Sequence, residues 1–427
     1  MSVLQEKVGK RSEPAIVRGN TEAEISDALA QVKVVEFGAY AAGPCVSKYL
    51  ANFGARVVHV ESRQRPDGFR LQYPPFKNGE VGLNRSGCFA FFNDSKCGVT
   101  LDLKNDAGLE LAYRLVQWSD IVIENMRPGV MARLRLDYAH LRSRNPDLIM
   151  LSTSNMGQTG PHATHPGFGS QLSSLSGFTH LIGEPDGPPY FLYGPYIDFV
   201  AVAFGGIAVL AALDYRQRTG EGSYIDLSQF ETGVQFISSA MLDYTANGVV
   251  ANRDGNRDSV AVPHGCYPCR DGEWCVISCW DDQEWERLCH VAKQKAWLTD
   301  VRFATIEQRK RNERELDQLI GSWTRDQSAE RLMWRLQTRG VHAAKVNHVK
   351  DLFTDPQIAF RNIWQRHEHP ELGNHAYRMV SYDLDETPGS VRRAAPCLGA
   401  DNEEVFRSWL EIPEREYEEL VNQGAFS

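Results

Sequence analysis

Five side chains that could hold a soft metal fall close together: His264, Cys266, Cys269, Cys275 and Cys279. Cys266-x-x-Cys269 matches half of a zinc knuckle. The second pair is spaced by three residues and lies on an alternating stretch, Trp274 to Trp280, whose side chains split between two faces. That pattern reads as small core thiols, and no metal site is expected. For nucleophilic catalysis there is no G-x-S-x-G elbow, and the 12 histidines show no triad-like spacing. Asp186, in Gly183-Glu-Pro-Asp-Gly-Pro-Pro189, is a possible carboxylate nucleophile, but Asp-Gly before two prolines is first a turn. Basic residues Arg63, Arg65, Arg70, Lys96, Lys104 and Arg127 suit an anionic ligand.

The elements that must position these groups alternate in the first half of the chain. Val32–Phe37 reads as a strand, Gly38-x4-Gly43 as a turn, Cys45–Asn52 as a helix ending at Gly54, and Arg56–Glu61 as the next strand. This is a right-handed βαβ unit with parallel strands. The turn is not G-x-G-x-x-G, so Glu61 is not read as a ribose ligand, but its backbone N–H groups suit a phosphate. Strands at Val99–Leu103, Asp120–Asn125 and Asp147–Ser152 follow, with a helix capped by Asn105-Asp106 between the first two. The spacing predicts a doubly wound, Rossmann-like sheet, several of the basic residues lying just beyond its strands' C-terminal ends. Beyond about residue 230 the texture changes. Cys266–Cys279 reads as a hairpin turning at Asp271-Gly272, with helices at Asn312–Trp323 and Ser328–Arg339.

The expected organisation is a polar leader over 1–30, with Thr21 opening a short helix, then a large α/β domain over 31–230. A smaller α+β domain spans 231–355, and 356–427 returns to the large domain, with a helix from Asn402. With 427 residues, 42% hydrophobic and 24% charged, two domains are the natural expectation. A net charge of -9 disfavours a nucleic-acid partner. The apolar run Phe199–Leu213, bounded by Asp198 and Asp214, is too short for a membrane span and reads as a buried helix. Nine cysteines, no disulfide framework and no signal-like N-terminus point to the cytoplasm and away from a membrane.

In their order these segments resemble the class III CoA-transferases, the family of formyl-CoA:oxalate and carnitine CoA-transferases and α-methylacyl-CoA racemase. The resemblance runs from about Val34 to Glu404. It rests on Ala42-Gly43-Pro44, Leu50-x3-Gly54-Ala55-x-Val57-x2-Val60-Glu61, Asn93-x2-Lys96, Glu124-Asn125-x-Arg127-Pro128-Gly129, Gly157-Gln158-Thr159-Gly160-Pro161 and Arg218-Thr219-Gly220-x-Gly222.

The resemblance implies a Rossmann-like large domain joined to a small one, two subunits interlocked like chain links, and no metal or redox cofactor beyond the coenzyme A thioester substrate. It implies coenzyme A contacts at Ala41, Ala42, Gly43, Arg63, Arg70, Asn93, Lys96 and Arg127. It also places Gly169, in Gly167-Phe168-Gly169 ahead of Ser176-Gly177, where active relatives are read as keeping a nucleophilic aspartate. The expectation is therefore no catalytic residue here and a related partner subunit carrying the aspartate. The substrates implied are an acyl-CoA and a carboxylic acid, with succinyl-CoA and benzylsuccinate the suggested pair. The alternatives are a self-sufficient enzyme using another acid, Asp186 first, and a CoA-ligand sensor.

Overall fold

The computed structural model describes residues 27–427, so the leader and its Thr21 cap lie outside the described residues. Six parallel strands form the large sheet: β1 (Lys33–Phe37), β2 (Arg56–Glu61), β3 (Cys97–Thr100), β4 (Ile121–Glu124), β5 (Ile149–Ser154) and β6 (Ser223–Ser228). Their order is β3-β2-β1-β4-β5-β6. Alternate residues feed two cores. Val34, Ile121, Ile123, Ile149 and Leu151 meet the helix Ala42–Asn52 on one face. Val35, Phe37, Val122 and Met150 meet the helix Asp106–Trp118 on the other. Burial on both faces is why these strands are nearly unbroken apolar runs.

Two strands, β3 and β6, differ from the sequence expectation. β3 starts at Cys97 and stops at Thr100, because beyond it the backbone turns to the C-terminal segment: Asp102 N–H donates to the Ala425 carbonyl at 2.8 Å. β6 was not anticipated; as an edge strand it reads Ser-Tyr-Ile-Asp-Leu-Ser, half polar, and lacks the apolar run that marks the others.

The apolar stretch around Phe199–Leu213 belongs to a helix, Tyr196–Thr219, that starts after Gly194 (φ 68°) and stops at Gly220 (φ 78°). Both glycines take left-handed backbone, which ends a helix at little cost. The helix is long and apolar enough to cross a membrane by length and composition. In this fold it packs on Ala42–Asn52, β5 and β6.

The smaller sheet is antiparallel, β7 (His264–Pro268), β8 (Trp274–Ser278) and β9 (His342–Lys345), its hairpin turning at Arg270–Gly272. Cys269, Cys275, Cys279 and Cys289 are free thiols packed among Trp285, Leu288, Leu316 and Leu332. A further hairpin, β10 (Trp364–His369) and β11 (Gly373–Arg378), was not foreseen; its polar, histidine-rich strands carry little of the usual strand signal. Leu372, Tyr377 and Met379 then join the core on the Ala42–Asn52 face, while Val405, Phe406 and Phe426 close the opposite face. Where a helix was expected from Asn402, Glu404–Trp409 is a π-helical turn and Glu414–Asn422 an α-helix.

Candidate functional site

The strand order reverses between β1 and β4, and the loops leaving these two strands form the crevice where open α/β sheets bind ligands. One side chain ties the loops together. Asn125 accepts from Ala39 N–H at 2.8 Å and donates to the Ala39 carbonyl at 2.7 Å. A Cβ on Gly43 would stand 3.3 Å from Asn125, so the Ala42–Asn52 helix can start close against that clamp. Tyr40, with φ 64°, donates its N–H to both carboxylate oxygens of Asp67 at 3.1 Å. Burial raises the Asp67 carboxyl to about 6, with His59 opposing.

Beneath the turn lies a buried polar network. Lys96 donates to Glu36 at 2.7 Å, to the Pro44 carbonyl at 2.7 Å and to Asn93 Oδ1 at 2.8 Å. Glu36 also meets His59 Nδ1 at 2.9 Å. Burial alone would raise the Glu36 carboxyl, but Lys96 and His59 hold it well below the usual carboxylate range. Arg70 pairs with Glu61 at 2.6 Å, donates to the Leu83 and Pro396 carbonyls and stacks 3.5 Å from the Phe89 ring centre.

Three of the expected coenzyme contacts belong to this buried network. Arg70, Asn93 and Lys96 are completely buried, and their polar atoms serve Glu61, the Phe89 carbonyl and Glu36. They brace the crevice from below. Ala41 ends the crevice turn as N-cap of the helix that Ala42 and Gly43 open, and all three are buried. Arg63 is exposed and leans onto the C-terminus, donating to the Phe426 carbonyl at 3.2 Å. Arg127 is exposed at the exit of β4, with no ion pair among the described residues. Asp186 is exposed on a turn closed by Gly187 N–H to the Glu184 carbonyl at 3.0 Å.

The surroundings of Gly169 include a carboxylate that the sequence did not place there. Gly169 opens the short helix Gly169–Leu175, which packs against the start of Tyr196–Thr219. A Cβ placed on Gly169 would stand 2.3 Å from Asp198 Oδ2, with Pro195 Cα behind it at 3.0 Å. The space beside residue 169 therefore already holds a carboxylate, supplied from the first turn of the neighbouring helix. Asp198 has no cation partner among the described residues, and burial pushes its carboxyl up to about 7. Such an acid is more basic than a surface aspartate and gains anion stabilisation from the helix N-terminus. Sequence reading noted Asp198 only as the boundary of an apolar run. An acid opening a buried helix was the available signal.

The arrangement joins up through Phe168, whose ring lies 5.8 Å from that of Tyr40 on the crevice turn. Residues 29–402 match CoA-transferase family III, and the chain belongs to that family. It is 35% identical to a succinyl-CoA–D-citramalate CoA-transferase of Chloroflexus aurantiacus, covering 90% of this chain and 95% of the relative. It is 30% identical to a succinyl-CoA–L-malate CoA-transferase alpha subunit of Chloroflexus aurantiacus, over 96% of this chain and 94% of the relative. A crystal structure of a CAIB/BAIF family protein from Brucella suis superposes with a TM-score of 0.84 at 30% identity, covering 90% of this chain and all of that one.

Proposed function

We propose that this chain moves coenzyme A from succinyl-CoA to a carboxylic acid, and that Asp198 is the group that carries the transfer. The observation behind this reading is the Asp198 carboxylate lying 2.3 Å from where a residue-169 side chain would begin. The ionised oxygen attacks the thioester carbon of succinyl-CoA, forming a C–O bond while the C–S bond breaks and CoA thiolate leaves. The thiolate then attacks the aspartyl carbon of that anhydride, releasing succinate and leaving an aspartyl-CoA thioester. The acceptor carboxylate displaces the thiolate, and the thiolate returns to the acceptor acyl carbon, freeing Asp198. No net proton or electron is consumed, and each step has a weaker barrier than direct exchange between two acids.

A second reading is favoured by Gly169 and by the alpha-subunit relative: a non-catalytic subunit interlocked with a related chain that carries the aspartate, with benzylsuccinate the acceptor. Exposed Ile207, Leu210 and Tyr215 on the long helix, with Phe236, Leu242 and Tyr244 on the segments after it, support an interface with another subunit, identical or related. The test separates the two. The purified chain is incubated alone with succinyl-CoA and trapped with hydroxylamine, and peptides are read by mass. A hydroxamate at Asp198 is expected. An inert lone chain that gains exchange only with a second subunit, with the adduct on that subunit, would overturn the first reading.

A further inference from the structure

Tyr40 is the one aromatic residue with positive φ among the described residues, at 64°. A bulky side chain in left-handed backbone is strained and persists only where its surroundings fix it. The strain falls here because both neighbours are already committed. Ala39 is held through its N–H and its carbonyl by Asn125, and Ala41 is the N-cap of the helix Ala42–Asn52. The change of direction between clamp and helix therefore falls on residue 40. Glycine would make that turn without strain, and the helix has no side-chain cap to help hold it.

The support comes from one dipeptide on another loop, Asp67-Gly68. The Asp67 carboxylate takes the Tyr40 N–H on both oxygens at 3.1 Å. It is itself fixed, the Asp67 N–H donating to Glu61 Oε1 at 2.9 Å and Oδ1 accepting from Phe69 N–H at 2.7 Å. Gly68 admits the ring: a Cβ there would stand 2.4 Å from Tyr40 Cε1, Cζ and the hydroxyl oxygen. The hydroxyl donates to Gln72 Oε1 at 3.0 Å, and Phe69 and Tyr73 meet the ring edge-on at 5.3 and 6.3 Å. Backbone, ring and hydroxyl of the strained residue are thus all received by residues 67–73. Helix capping accounts for the Asp67 bond to Phe69. It does not account for an acceptor aimed at a residue 27 positions away.

We infer that Asp67 is a positioning residue: its carboxylate holds Tyr40 in left-handed backbone and thereby sets the switch-point turn, residues 38–43, in the form that receives coenzyme A. This rests on the transferase reading only in taking coenzyme A as the ligand of the turn, and not on which carboxylate carries the acyl group. A charge-assisted bond outweighs the left-handed penalty of a non-glycine residue, and a neutral bond only matches it. With Asp67 neutralised, the turn populates other backbone forms, and the apparent affinity falls with the competent fraction. Asp67→Asn is the sharpest perturbation. Its size is the same and its Oδ1 can keep the Phe69 cap, but its amide group points a donor at the Tyr40 N–H where Oδ2 stood.

The experiment is a double-mutant cycle on coenzyme A binding, measured by calorimetry at pH 8, where a carboxyl raised to about 6 is ionised. Asp67→Asn should weaken binding by roughly 10-fold in the otherwise unmodified chain. In the Tyr40→Gly background, where left-handed backbone needs no support, the same change should weaken it by less than about 3-fold. Equal losses in the two backgrounds, or no loss in either, would overturn the assignment. If Asp67→Asn does not fold, rescue of folding by Tyr40→Gly supports the assignment, and a fold lost in both backgrounds overturns it. If the unmodified chain binds no coenzyme A, the transferase reading fails, and a crystal structure of Asp67→Asn decides the turn separately. Residue 40 should leave left-handed backbone there; a Tyr40 still near 64° would overturn the role given to Asp67.

Discussion

Placing a side chain on Gly169 tests the site most directly, because the two functional readings expect opposite results. A Cβ there would stand 2.3 Å from Asp198 Oδ2, whereas ordinary contact begins near 3.4 Å, so the carboxylate must retreat by about 1 Å. Residue 169 cannot yield instead, since the Pro195 backbone stands behind it at 3.0 Å. The backbone at 169 is not left-handed and the severest clash falls on the end of a side chain, but the Pro195 backbone is also crowded, so Gly169→Ala should fold at a cost of about 1–3 kcal/mol. A misplacement of about 1 Å in a reacting group is worth on the order of 100-fold in rate. Gly169→Ala should therefore lower kcat by about that factor.

Gly169→Asp adds a second effect. Two carboxylates in contact cannot both ionise readily, so one is pushed further up. Exchange should fall below that of Gly169→Ala at pH 7 and recover partly as pH rises. The assay is transfer from succinyl-CoA by the isolated chain, with the aspartyl adduct counted by mass. If Gly169 marked an empty nucleophile position, Gly169→Asp would create activity in the lone chain. A gain of exchange, or a Gly169→Ala variant within 3-fold of the parent, would refute the role given to Asp198.

Three further outcomes follow from the same geometry. Asp198 titrates near 7 in the folded chain and near 4 unfolded, so its burial costs nothing below pH 4 and progressively more up to pH 7. Asp198→Asn should thus abolish exchange yet raise stability at pH 8 by up to about 4 kcal/mol, with no gain at pH 4 by denaturant titration. Lys96→Met strands the buried Glu36 carboxylate and should lower stability by roughly 3–5 kcal/mol, read by the same titration. Asp186→Ala sits on an exposed turn closed by backbone, and should change exchange less than 2-fold and stability by less than about 0.5 kcal/mol.

The parallel sheet was legible because strands buried on both faces leave unmistakable apolar runs; β1, β2, β4 and β5 lie within two residues of their expected bounds. β6 and the β10–β11 hairpin were not, since each is half solvated and its pattern is diluted by Ser, His and Arg. Basic residues beyond the strand ends were legible as a cluster but not as to their use. Burial decides that. Arg70 and Lys96 have acidic partners, Glu61 and Glu36, that are adjacent only once the strands pair, whereas Arg127 has none among the described residues.

The carboxylate was the hardest to read, and the reason is general. A one-dimensional register compares residue 169 with the same position in relatives and finds a side chain missing. Tertiary packing compares the volume beside residue 169 with whatever reaches it, and finds Asp198, 29 positions later in the chain. Glycine at 169 and a partnerless acid at 198 are then one feature, because the first supplies the room that the second occupies. A loss inferred from one position in sequence therefore has to be checked against the groups that could enter the same space. Here such a group is present, buried enough to be basic, and placed at the end of a helix whose dipole favours its charged form.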